Sequence, residues 1–316
     1  MKSVADSQGI YVTTQQLVAL EGQARNLTFV QKKRSHQLLA GRLQSMMRGR
    51  GLSFEELREY LPGDDVRTID WRVTARTGRP VVRVYSEEKE RPALLVIDQR
   101  INMFFGSRRS MKSVAAAEAA VLVAWRILGS GDRVGGVVFT DTQVSEVKPH
   151  RSRNAVIALA NKIADANGRL RADYDQKPNS AALDSALSQA AKIAHHDFLI
   201  IIVSDFDGHN DTTKQILMQL ATRNDVVCLL VYDPFMLDLP SVGDIVVSSG
   251  QLQAELALGR QDIRKSIDSF ARERARELLA WQRELGLPML PISAAEETTP
   301  QLRNLLEQSA WRQRRR

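Results

Sequence analysis

The stretch "LLVIDQRINMFFGS", Leu94 to Ser107, decides the fold. Its first residues are apolar without alternation, and the run stops at Asp98. A strand that is apolar on both faces belongs inside a parallel sheet covered on both sides. A carboxylate at the carboxyl end of such a strand stands at the sheet rim, where open α/β sheets bind their ligands. A polar loop tipped by Gly106 follows. Arg100 and Asn102 lie two and four residues beyond Asp98, at the spacing where an ion-binding loop would place hydroxyls. The rim therefore either holds a cation or has one supplied by the protein itself.

Outward from this stretch the pattern repeats. "DFLIIIVSDFDG" carries Asp205 and Asp207 at its carboxyl end, and "DVVCLLVYDP" is a third buried strand. Between and after them, "MKSVAAAEAAVLVAWRIL", "SRNAVIALANKIADAN", "SAALDSALSQAAKIAHH" and "TTKQILMQLATRN" show helical periodicity. "RVGGVVFTD" and "TQVSEVKP" read as a hairpin. "DIRKSIDSFARERARELLAWQREL" reads as a solvated helix, "PMLPIS" as a strand and "PQLRNLLEQ" as a last helix. The expected fold class is α/β: a doubly wound, mostly parallel sheet flanked by helices. Residues 92–310 form this domain, residues 1–91 an N-terminal helical and extended arm, and residues 311–316 a basic tail. In the arm, Thr13 and Gln16 make a capping-box pattern ahead of Leu17, Leu20, Ala24 and Leu27.

The 316 residues, 43% hydrophobic and 26% charged, are those of a globular protein. No apolar run approaches the roughly 20 residues of a membrane span, and no charged-then-apolar leader opens the chain. A cytoplasmic location is the expectation. Cys228, the only cysteine, sits in an apolar strand and reads as a small core residue. Of the formal net charge of +7, much lies between Arg25 and Arg50, where Lys32, Lys33, Arg34, Arg42 and Arg48 meet no acid. This segment could neutralise phosphates, but aromatics at 6% offer little for stacking, so a nucleic-acid partner is the weaker reading.

The domain after residue 91 resembles a von Willebrand factor type A domain, on its element order, its Asp-ended first strand and the later "SD". That resemblance implies a magnesium-type ion held by an Asp-x-Ser-x-Ser loop, a threonine and a further aspartate. Asp98 and Asp205 match the two aspartates; Arg100 and Asn102 occupy the serine places, and Ser180 or Ala181 stands where threonine is expected. Guanidinium has no acceptor and stays protonated. At about 4 Å from a dication it would cost about 8 kcal/mol, twice the unit-charge figure at an effective dielectric of about 20. The same group could instead bridge Asp98 and Asp205. The expectation is a degenerate, metal-free rim with no cofactor; a magnesium ion, if bound, would take Asp98, Asn102 and Asp205.

The arm contains "GRGLSFEELREYLPGDDVRTIDWRVTARTGRP", in which Arg58, Asp64, Asp65, Arg67, Asp70 and Trp71 alternate charge around a turn. One reading is an ion-pair network pinning the arm to its own sheet domain. The other is a docking surface centred on Arg67, Asp70 and Trp71. The Gly-Asp-Asp-x-Arg-x-Ile-Asp-Trp run, with "GDRVGGVVF" and "YDPFMLDLPSVG" beyond it, resembles the domain of unknown function 58 family. The resemblance implies a partner of the MoxR-type AAA+ ATPase class.

Two rival sites are weaker. His195, His196 and Asp197 precede the strand that ends near Asp205, Asp207 and His209, about 20 Å away. "LGSGDRVGG" lacks the Gly-Lys-Ser/Thr of a phosphate loop. The functional expectation is a non-enzymatic protein-binding adaptor working through a rim of Asp98, Arg100, Asn102, Ser180, Asp205 and Asp207. A metal-dependent hydrolase at Asp98 and Asp205, or a nucleic-acid binder through Arg25–Arg50, are the alternatives.

Overall fold

The computed structural model describes residues 9–27, 52–87, 91–171, 178–236, 244–248, 253–257, 273, 276–277 and 280–314. The chain divides into two compact units, residues 1–29 with 91–316, and residues 30–90.

The larger unit begins with helices α1 (Thr14–Ala19) and α2 (Glu21–Ala24). The capping box is present: Thr13 Oγ1 accepts from Gln16 N–H, and the Gln16 side chain accepts from Thr13 N–H. Labels β1, β2 and α3 belong to the smaller unit: β1 (Leu52–Glu59), α3 (Trp71–Thr77) and β2 (Val81–Glu87). The larger unit resumes with β3 (Ala93–Asp98), α4 (Lys112–Gly129), β4 (Val134–Phe139), β5 (Val144–His150) and α5 (Arg153–Asn167). It continues through α6 (Ala181–Ile193), β6 (Leu199–Ser204), α7 (Asp211–Arg223) and β7 (Asp225–Tyr232). A small hairpin of β8 (Asp244–Ser248) and β9 (Gln253–Ala257), then β10 (Met289–Ser293) and α8 (Thr298–Arg314), complete it.

The six-stranded sheet has the order β10-β7-β6-β3-β4-β5, with only β5 antiparallel to its neighbour. The expected doubly wound α/β class is the fold found. β3 is buried along its whole length. Leu94 and Val96 pack with Ala186, Leu187 and Leu217 of α6 and α7, while Leu95 and Ile97 pack with α4 and α5 on the other face. The continuous apolar run thus reflects two separate cores, each claiming alternate residues. The alanines of α4 allow close approach to the sheet, and the helix stops at Ser130, with Gly131 at φ +88°. In β4, a Cβ on Gly135 would lie 2.4 Å from the Val147 carbonyl oxygen of the irregularly paired β5, so the backbones approach where only glycine fits. Both edge strands carry a proline, Pro149 in β5 and Pro291 in β10.

The connection order places the binding crevice. The chain runs outward from β3 to β4 and β5, then reverses to β6, β7 and β10. The carboxyl ends of β3 and β6 therefore flank the switch point, where ligands of open sheets sit.

The expected arm of residues 1–91 is not one element. Residues 9–27 belong to the sheet unit, because Leu17 and Leu27 are buried in its core and Val12 N–H donates to Asn167 Oδ1. Tyr11 also donates to the Leu170 carbonyl. Apart from residues 25–27, the basic Arg25–Arg50 segment lies outside the described residues, as does much of the charged helix before Ala280. The tail expected at 311–316 begins inside α8, whose backbone is helical to Arg314.

In the smaller unit, β1 and β2 pair antiparallel with an irregularity between Phe54 and Glu56. Gly78, at φ +71°, closes α3.

Candidate functional site: a carboxylate rim closed by two cations

Asp98 ends β3, fully buried, and Arg100 two residues on is 2% exposed. The guanidinium folds back: Nε lies 3.0 and 3.2 Å from the Asp98 oxygens, and Nη2 lies 2.7 Å from Oδ2. Arg100 Nη1 donates to the Asp207 carbonyl at 3.0 Å, and the group lies 5.4 Å from the Phe139 ring centroid. Ser204, the last residue of β6, donates its hydroxyl to Asp98 Oδ2 at 2.7 Å.

Asp205 is held differently. Asn102 Nδ2 reaches both its oxygens, at 2.8 and 3.0 Å, and Lys112 Nζ lies 2.5 Å from Oδ2. Arg100 Nη2 stands 3.9 Å from Asp205 Oδ1. The bridge expected from Arg100 is thus bidentate toward Asp98 and only a longer ion pair toward Asp205. Asn102 turns a donor toward the acid, so it is not the amide-oxygen ligand expected for an ion.

The electrostatics follow from burial. Removal from water pushes the Asp98 carboxyl above the ordinary carboxylate range, against the opposing pull of Arg100 and Ser204. Burial alone would lower Arg100, yet Asp98, Asp205 and Asp207 hold it above its ordinary value. A guanidinium that cannot lose its proton beside a neutral acid would be an uncompensated buried charge, so the pair is ionised. Asp98 is thus paired with Arg100 and Asp205 with Lys112.

The loop after β3 is staked down by acids at the ends of other strands. Asp141, after β4, accepts from Ile101 N–H at 2.8 Å and from Asn179 N–H at 3.0 Å. Asp233, after β7, accepts from Ser107 N–H at 2.8 Å and from its hydroxyl at 2.6 Å. Beneath the loop, Gln99 donates to the Ser113 carbonyl and accepts from Asn167. Phe206 is buried at φ +55°, a conformation rare for a bulky residue, and its N–H is fixed by Ser204 Oγ at 2.8 Å. Ser180 is exposed at the start of α6 and abuts Gly208: a Cβ there would lie 2.8 Å from the Ser180 Cβ. The rim's expected members therefore surround one loop cluster, with Asp207 contributing through its backbone.

Lys112, Asp141, Ser204 and Asp233 were not foreseen. Lys112 leaves one signal: it begins α4, where the helix dipole disfavours a cation unless an acid faces it. The histidines do not join the rim. His195 and His196 are exposed at the opposite end of β6, and His209 donates Nδ1–H to the Phe206 carbonyl and stacks edgewise on Trp281. Among the described residues no group of three or more His, Cys, Asp or Glu could hold a metal ion.

The signature acids of the smaller unit turn inward on their own unit. Asp64 accepts two bonds from Arg58 and one from Leu61 N–H. Asp65 accepts from Arg67 N–H. Asp70 caps α3 through Arg72 and Val73 N–H and pairs with Arg83 at 2.7 Å. Asp70 is thus a cap and ion-pair partner, whereas the docking reading had set it at the surface centre. Trp71 is 68% exposed.

A helix-flanked, mostly parallel sheet with acids at its switch point defines a doubly wound α/β protein. More narrowly, the chain belongs to the family described as protein of unknown function DUF58, which matches residues 56–277. It is 29% identical over 230 residues to uncharacterised proteins of Mycobacterium tuberculosis and Mycobacterium bovis, covering 72% of this chain and 69% of theirs. Among solved structures it is similar to the conserved hypothetical protein BatB from Bacteroides thetaiotaomicron, with a TM-score of 0.40 and 12% identity, covering 70% of this chain and 98% of that one. It is also similar to a von Willebrand factor type A protein from Catenulispora acidiphila, with a TM-score of 0.33 and 17% identity, covering 48% and 35% of the two chains. Among the described residues no helix is long and apolar enough to cross a membrane.

Proposed function

We infer that this protein is a non-enzymatic adaptor that binds a protein partner through the rim without using a metal ion. The carrying observation is that Arg100 and Lys112 supply two fixed positive charges to Asp98 and Asp205, at 2.7 and 2.5 Å. The resemblance to von Willebrand factor type A domains implies a magnesium-type ion as the source of that charge, and here two side chains stand in its place. With the charge built in, the rim is complete before a partner arrives, and recognition falls to shape and to the exposed parts of the loop. The partner class is the MoxR-type AAA+ ATPase, a reading that rests on the family resemblance alone.

The test has two arms. Added Mg²⁺ or Mn²⁺ leaves the melting temperature of the unmodified protein unchanged, while Arg100→Ser with Lys112→Ala gains metal-dependent stabilisation. A rise of several degrees with Mg²⁺ in the unmodified protein overturns the metal-free reading. Binding to the purified ATPase from the same host, measured with and without nucleotide and in the presence of a chelator, tests the partner. Binding abolished by the chelator alone, or no binding in any nucleotide state, overturns the adaptor reading.

A further inference from the structure

The smaller unit shows a second surface that the rim does not explain. Leu61, Val66 and Trp71 are 59%, 58% and 68% exposed, and Leu57 is 42% exposed. They fall in or beside the turn and first helical residues of one short stretch, Leu57 to Trp71, which is an unusual concentration of bare apolar side chains for so small a unit. The acids of the same stretch are committed: Asp64 to Arg58 and Leu61 N–H, Asp65 to Arg67 N–H, Asp70 to α3 and Arg83. The basic side chains divide in two. Arg58, Arg79 and Arg83 sit in ion pairs with Asp64, Glu59 and Asp70. The side chains of Arg67, Arg72 and Arg76 are exposed, and among the described residues none makes an ion pair or hydrogen bond. Arg72 and Arg76 are one helical turn apart on α3 and share a face. The stretch thus presents aliphatic and indole surface beside uncompensated positive charge.

We propose that this surface docks onto a protein bearing an apolar pocket rimmed by carboxylates, with Trp71 as the anchor and Arg67, Arg72 and Arg76 as the charged border. Trp and Arg dominate binding energy when a pocket desolvates them, and a ring of opposite charge sets orientation and encounter rate. Two other occupants fit less well. A second copy related by a twofold axis would bring the same arginines toward themselves, while Asp64, Asp65 and Asp70 among the described acids are already bonded within their own unit. A nucleic acid would use rows of aromatic rings for its bases, but Leu61 and Val66 offer none. The surface lies on the unit formed by residues 30–90, so it is independent of the rim reading.

The experiment uses the full chain and a defined probe, a fluorescein-labelled random copolymer of glutamate and tyrosine, read by anisotropy at about 150 mM salt. The comparison probes are polyglutamate and a labelled single-stranded oligonucleotide. The copolymer binds, polyglutamate binds at least tenfold more weakly, and Trp71→Ala weakens copolymer binding by at least about tenfold. Trp71→Phe restores most of it, and Arg67→Glu with Arg72→Glu and Arg76→Glu abolishes it. These side chains are exposed, so melting temperature and circular dichroism stay unchanged and a folding defect is detected separately. No copolymer binding, equal binding by Trp71→Ala, tighter binding of the oligonucleotide through the same arginines, or loss of a dimer in Trp71→Ala each overturns the proposal.

Discussion

At the scale of single residues, the rim depends on acids whose acceptors are used up inside the protein. Asp141 is 4% exposed and holds both Ile101 and Asn179 through their N–H groups. Asp141→Ala leaves two backbone donors unanswered, at about 1–3 kcal/mol each. The expected result is a fall in stability of about 2–5 kcal/mol by urea unfolding, with Asp141→Asn intermediate because its one carbonyl oxygen can still accept. Asp98, Arg100 and Asp205 were legible beforehand because each terminates or follows an unmistakable buried strand. Asp141, Asp233 and Lys112 were not, since a carboxylate becomes a stake only when the fold brings another loop to it. Cys228 was also legible. Burial among apolar neighbours pushes its thiol up to about 12, as expected of a core residue without nucleophilic use.

At the scale of elements, the signature segment shows how one side chain starts a helix and ties it to a hairpin. Asp70 is held below the ordinary carboxylate value of 3.8, first by its hydrogen bond from Arg83 and then by the N–H of Val73. A depressed acid stabilises the fold above its unfolded pKa, and that stabilisation is lost as pH falls through the folded value. Amide exchange across α3 should therefore quicken as pH drops below the ordinary value, once the intrinsic pH dependence of exchange is removed. At neutral pH Asp70→Asn, which keeps a cap but loses the Arg83 charge pair, protects α3 better than Asp70→Ala, which loses both. Unchanged protection in Asp70→Ala would contradict this role. The helices and buried strands of the sheet unit were readable from periodicity, but β1 was not. "LSFEELRE" begins with alternating apolar residues and then slips phase at Leu57, and the pairing irregularity between Phe54 and Glu56 is where the backbone absorbs that slip. β9, "QAELA", was hidden for another reason, being short and built from residues poor in strand propensity.

At the scale of the whole molecule, the sheet unit is discontinuous in sequence, with residues 1–29 returning to it across the inserted unit. Leu17 and Leu27, 0% and 1% exposed, contribute about 1.5–3 kcal/mol each when fully buried. Deletion of residues 1–27 should therefore lower the melting temperature markedly or yield insoluble protein. A freely dispensable arm would leave melting unchanged, and that result would sink the assignment. The expected boundary near residue 91 agrees with the division of the chain, but the return of residues 1–29 to the sheet unit was missed, because the packing of α1 and α2 depends on a few apolar positions in a polar helix. The edge prolines act at this same scale. Pro149 at the irregular pairing of β5 and Pro291 in β10 each take one N–H out of an edge strand, which weakens both borders of the sheet as templates for an added strand. Crowded copies of the molecule are thereby steered away from fibrillar growth, and encounters are left to its loops and helical faces.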